Sequence, residues 1–220
     1  MTESMQNMLS EWNDRAGKML FGCESASAEA FIGNLLFSDN RFELNYKLGI
    51  AVPMYAYIYH EYVRNFMGNQ ASCPFRMNED TLRYRIAYAF AAGDCMTLVL
   101  TQDGDLVSHW GMKDFSFLPD KKKAVQMVAN LTRFYKEQAK PYLYAGRMIP
   151  SPEVKCDSVT FGRRDSERNI TLPTIFSSAW QAEDGSRAVI LVNPTDNDIN
   201  CLVDGKPITV PKINAVLLQI

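Results

Sequence analysis

The sequence predicts an α/β region followed by a small antiparallel all-β region, and three observations predict it. Residues 1–149 read as alternating segments in the order α, β, α, β, α, β, α, the pattern of parallel strands joined by crossover helices. Past the Pro-rich stretch at 150–152 the segments shorten to strand-like runs. Among those runs, Glu-Asp-Gly-Ser and Val-Asp-Gly-Lys each set Asp-Gly between two apolar stretches, the strongest short hairpin signal. The boundary therefore divides the chain into 1–149 and 150–220.

The elements follow in order. Met5, Met8, Leu9, Trp12 and Ala16 share one helical face, with Thr2 as a cap and Gly17 as the stop. The apolar run at 18–24, Lys-Met-Leu-Phe-Gly-Cys-Glu, is too short for a buried helix and reads as a buried strand. Residues 25–49 read as mixed loop and helix. The segment Val-Pro-Met-Tyr-Ala-Tyr-Ile-Tyr-His-Glu-Tyr at 52–62 reads as a second strand, with Pro53 near its start. A helix follows, capped by Asn78 and stopped by Gly93. Cys95–Leu100 reads as a third strand, and a long helix begins near Asp120. The C-terminal runs, from Ser-Val-Thr-Phe-Gly to Asn-Ala-Val-Leu-Leu-Gln-Ile, form a sandwich in this reading.

Composition narrows the function classes. With 220 residues, 47% of them apolar and 22% charged, the chain can bury a substantial core. A net charge of −2 argues against a nucleic-acid binder. No run reaches the ~18 apolar residues of a membrane span. The N-terminus lacks a secretory h-region, so the chain as given stays where it is made; a longer parent could be exported. Five cysteines without a CxxC pair, and two histidines, read as reduced thiols without a metal site, and no cofactor is expected.

Three stretches carry a resemblance. Gly-Lys-Met-Leu-Phe-Gly-Cys-Glu-Ser-Ala-Ser-Ala-Glu-Ala-Phe-Ile at 17–32 looks like a late barrel strand ending in a carboxylate, with a second Glu after a short loop. Residues 52–62 look like the next strand, with a P-x-x-x-x-x-Y-H-[DE]-Y pattern. Val-Ile-Leu-Val-Asn-Pro-Thr-Asp-Asn-Asp-Ile at 189–199 is similar to a C-terminal sandwich whose core strand ends in Asn-Pro or Asn-His. Together they resemble a broad family of barrel hydrolases related to α-galactosidase-type and endo-α-N-acetylgalactosaminidase-type enzymes. The resemblance implies a partial (β/α)8 barrel, about the last three strands, followed by a β-sandwich. A whole barrel takes about 250 residues. On this reading the chain is part of a glycoside hydrolase, lacks the earlier strands and the nucleophile, and has no turnover alone. It would self-associate or pair with a missing N-terminal half.

The same resemblance ranks the candidate residues. Glu24 is the general acid/base candidate, and Glu29 is its competitor; the favoured reading of Glu29 is a first-turn helix acid. His60, Glu61, Tyr59, Tyr62, Asp103 and Trp110 are candidates for binding the carbohydrate substrate, with Glu24 and His60 expected at one shared cavity mouth. The competing structural readings are a satisfied core histidine for His60, a plain turn for Asp103 and a packed loop anchor for Trp110. The alternative function is a non-catalytic carbohydrate-binding or interaction module, which the aromatic content suits. Another barrel chemistry, such as that of an aldolase, ranks last: no Lys ends a predicted strand and no phosphate-binding glycine loop is present.

Overall fold

The computed structural model describes residues 2–17, 22–24, 37–39, 53–67, 75–76, 81–104, 106, 121–163 and 169–220. Over these residues the protein is a mixed α/β fold in which antiparallel pairing predominates and no barrel closes. This corrects the expected (β/α)8 portion with its sandwich. Three short strands, β1 (Gly22–Glu24), β2 (Phe37–Asp39) and β3 (Arg64–Phe66), pair in parallel in that order, and one parallel bridge from Phe66 to Cys95 extends them. All other described strands pair antiparallel.

Two segments explain the difference. The segment expected as the second strand is instead helix α2 (Met54–Tyr59), ended by His60. Its tyrosines alternate, but its buried positions are Ala56, His60 and Val63, spaced four and three apart as on a helix face. Tyr55 and Tyr59 stack one turn apart with ring centroids at 5.0 Å. The segment after Gly93 joins the parallel sheet only at Cys95, whose N–H donates to Asn65 O at 2.7 Å and whose carbonyl accepts from Met67 N–H at 3.0 Å; Leu100 bridges antiparallel to Leu106 instead. Residues 96–99 belong to no ladder.

Helix α1 (Thr2–Ala16) leaves Met5, Met8 and Trp12 exposed. Helix α3 (Thr81–Ala91) is buried all round from Leu82 onward, including Arg83 and Arg85. Arg83 donates to Asp196 through two N–H groups, at 2.8 and 3.3 Å, and Lys123 reaches the same carboxylate at 2.7 Å. Helix α4 (Lys121–Phe134) runs through a π turn (Tyr135–Ala139) into α5 (Lys140–Leu143). Pro141 explains the π turn: it has no N–H for the Glu137 carbonyl, and widening one turn lets Lys140 N–H reach Tyr135 O.

The C-terminal half is layered. The central sheet has the order β13 (Asn214–Gln219), β10 (Arg187–Asn193), β9 (Phe176–Gln181), β5 (Arg147–Ile149). Strand β10 is buried on both faces. Ala188, Ile190 and Val192 join the core with α3 and α4, while Val189 and Leu191 join a second core against a three-stranded sheet. That sheet comprises β12 (Lys206–Val210), β11 (Ile199–Val203) and β6 (Val154–Lys155). Double burial is why Ala-Val-Ile-Leu-Val reads as an unbroken apolar run. A third sheet joins β4 (Phe75–Arg76), β7 (Ser158–Arg163) and β8 (Asn169–Pro173). Strand β5, which precedes residue 150, pairs antiparallel with β9 as the edge of the central sheet.

Both expected hairpins form. Asp204 and Gly205 take positive φ, 47° and 79°, as a type I′ turn requires, and Gly185 closes the β9–β10 turn. Asn193 ends β10 fully buried and fully bonded. Its amide donates to the carbonyls of Asn197 and Val210, and its oxygen accepts from the Thr195 N–H and hydroxyl. The Asn-Pro ending of this strand is thus a structural knot.

Candidate functional site

The parallel sheet brings two acidic residues together. Its register aligns Gly22 with Phe37 and Arg64, Cys23 with Ser38 and Asn65, and Glu24 with Asp39 and Phe66. Glu24 and Asp39 are therefore the last described residues of adjacent parallel strands, neighbours in one row toward their C-terminal ends. Those ends are where parallel sheets meet their ligands. Sequence reasoning chose Glu24 and missed Asp39, because residues 25–49 read as loop and helix. A signal was present: Leu35-Leu36-Phe37-Ser38-Asp39 repeats the grammar of the first strand, an apolar run ended by an acid.

His60 precedes the first residue of β3 by four positions and is 3% exposed. Nδ1 is 3.1 Å from the Gly146 carbonyl and Nε2 is 3.3 Å from the Gly93 carbonyl. The neutral ring donates to one of these two oxygens. Burial pushes the imidazole pKa below its ordinary value, the Gly146 carbonyl opposes that shift, and the Arg64 charge adds to it. His60 is thus a neutral, packed residue of the junction between helices and central sheet. In the chain it precedes the first residue of β3, whereas Glu24 is the last described residue of β1.

The remaining candidates scatter. Glu61 and Tyr62 are exposed in the turn after α2, and Tyr59 is half-buried against Tyr55. Asp103 is exposed in the turn closed by Gly104 N–H to Thr101 O. Glu29 and Trp110 lie outside the described residues.

A cavity of about 390 Å³ opens where β3 and Cys95 face α3, α4 and the π turn. Arg64 lines it with its guanidinium carbon 4.2 Å from the centre of the Tyr144 ring, and Asp94, Cys95 and Tyr135 contribute polar groups. Burial pushes the Cys95 thiol and the Tyr135 phenol up, and the Arg64 charge acts against both shifts. Cys95 is therefore a poor nucleophile at neutral pH. Between Arg64 and Phe66, Asn65 is 1% exposed, and among the described residues neither amide atom has a hydrogen-bond partner.

Among the described residues no group of His, Cys, Asp and Glu could hold a metal ion, and no helix is long and apolar enough to cross a membrane. Comparison with protein-family models, with characterised proteins and with solved structures gives no match.

Proposed function

We propose that the chain is the acid-bearing part of a glycoside hydrolase, with Glu24 and Asp39 as its carboxylate pair. What supports the reading is one observation, the register that makes these two residues neighbours toward the C-terminal ends of adjacent parallel strands. Glycoside hydrolysis uses two carboxyl groups at the scissile bond: one protonates the leaving oxygen, and the other attacks the sugar or activates water. Glu24 keeps the acid/base role assigned from the sequence. Asp39 fills the role the sequence left open, and with it the reason to expect no turnover from the chain alone falls away.

A panel of aryl glycosides tests the proposal on the full chain. Turnover of at least one substrate, lost in both Glu24→Gln and Asp39→Asn while the fold persists, supports it. Absence of turnover across the panel, or turnover that survives both substitutions, overturns it.

One observation favours the second reading, a binding module without chemistry. Helix α2 and its turn expose Met54, Tyr57, Ile58 and Tyr62 together. Aromatic rings on a surface suit the C–H face of a pyranose. Oligosaccharide binding that persists in Glu24→Gln and vanishes in Tyr57→Ala with Tyr62→Ala would select this reading.

A further inference from the structure

We propose that the cavity between β3 and the α4–α5 helix binds a small carboxylate with an apolar body, held by Arg64. The site is separate from the Glu24–Asp39 pair, and the inference stands whether or not that pair is hydrolytic. At about 390 Å³ the cavity falls within the size of small-molecule sites, which run to roughly 300–1,000 Å³. Phe66, Phe90, Met96, Val128 and Leu143 give it apolar walls. A ligand body that displaces water from these walls gains from burial in proportion to its own apolar area.

Arg64 supplies the polar end. The Tyr144 ring holds the guanidinium from one side at 4.2 Å, a contact that uses the cation's charge and none of its N–H donors. Among the described residues no hydrogen bond or ion pair takes up those donors. A half-buried guanidinium fixed in place with its donors free is matched by an acceptor with two oxygens in fork spacing, which a carboxylate offers.

Charge decides between carboxylate and phosphate. Asp94, 5% exposed, lines the same cavity as Arg64. The Asp94 charge raises the Cys95 thiol pKa, while the Arg64 charge lowers it, so both fields reach the cavity wall. Lys140 Nζ lies 5.9 Å from the far-reaching Tyr144 ring and adds a second cation near that ring, but it does not line the cavity. Among the described residues a dianion would meet one lining cation, Arg64, and one lining anion, Asp94. A monoanion can engage Arg64 and turn its apolar end away from Asp94.

Calorimetric titration of the full chain with 3-phenylpropionate and benzoate, beside their neutral amides and inorganic phosphate, reads the site directly. The carboxylates are expected to bind about tenfold or more tightly than the amides, the usual scale of a charge-assisted hydrogen bond. Arg64→Gln is expected to erase that preference. Val128→Trp, which fills the cavity and leaves Arg64 in place, is expected to remove binding of every probe. Equal binding of acid and amide to the unaltered protein overturns the proposal without recourse to any variant. So does the lack of saturable binding by either carboxylate, carboxylate binding that survives Arg64→Gln in a folded protein, or tighter binding of phosphate.

Discussion

The His60 imidazole meets the Trp180 indole edge-on, with ring centroids 4.6 Å apart and planes at 63°. The contact joins the turn before β3 to the middle of β9, so the helical layer and the central sheet share a buried titratable group. Its folded pKa lies below the ordinary 6.5, because burial disfavours the charged ring. Its stabilising contribution is therefore complete above about pH 6.5 and is lost as pH falls from there through the folded pKa. The loss can be no steeper than about 1.4 kcal/mol per pH unit for one proton. Urea unfolding of the protein at pH values on either side of 6.5 checks this. His60→Gln, which keeps a donor and removes the titration, is expected to flatten the dependence across that window.

Gly93 packs against both of these rings. Its φ is +82°, and a Cβ there would lie 2.6 Å from His60 Nε2 and 2.7 Å from the Trp180 ring. Gly185 has φ +84° with nothing near the Cβ position. Gly185→Ala is expected to cost about 1–2 kcal/mol, the left-handed penalty alone. Gly93→Ala meets that penalty and a clash with two fixed rings, and is expected to cost at least about 3 kcal/mol. Paired thermal melts of the two variants separate the steric part. Equal losses would show that the rings yield.

The legibility of this fold in its sequence follows from how local each signal is. The Asp-Gly turns needed only positive φ at Asp204 and Gly205, and the hairpins formed where those residues stand. A long helix starting near Asp120 was expected where α4 stands, but its π turn was not, since only the missing Pro141 donor marks it. Segment 52–62 carried two periods at once: tyrosines at 55, 57 and 59 alternate, while the buried residues 56, 60 and 63 step as a helix. The aromatic alternation won the reading, and burial won the structure. Asp39 illustrates a third limit. Its place beside Glu24 depends on strand register between segments some fifteen positions apart, and no local pattern encodes register.

Asn65 offers a sharper stability test. Its amide is buried with no partner for either atom among the described residues, a state that costs about 1–3 kcal/mol in desolvation. Asn65→Leu, matched in branching, somewhat larger and free of polar atoms, is expected to leave stability unchanged or raise it by up to that amount. Asn65→Asp is expected to destabilise strongly, since it buries a charge where the amide already lacks partners. Denaturant midpoints give both values. A clear loss in Asn65→Leu would mean that the amide is satisfied by something bound in solution.

The last prediction concerns two thiols in the layered half. Strands β6 and β11 pair Val154 with Val203 and Lys155 with Leu202; the same register continued one step past the end of β6 would set Cys156 opposite Cys201. Asp204 N–H donates to Glu153 O at 3.0 Å. Alternation from that bond would make Cys156–Cys201 a non-hydrogen-bonded pair, for which Cα atoms lie about 4.5 Å apart and side chains share one face. That face is the second core, where Cys201 is buried and Cys156 packs beside it. The separation is within the ~4.4–6.8 Å that a disulfide spans. Burial and the neighbouring Cys156 push the Cys201 thiol pKa up, so the reduced pair is slow to react at neutral pH. Oxidised glutathione at mildly alkaline pH is expected to oxidise the pair, releasing two equivalents of reduced glutathione for each Cys156–Cys201 bond. The cross-link closes the loop that carries β7 to β10, and is expected to raise the melting temperature by about 5–15 °C. Peptide mapping after oxidation identifies the bond, and Cys156→Ser abolishes both the cross-link and the shift. A glutathione adduct that persists on Cys156 without resolving to Cys201 would show that the two sulfurs do not meet.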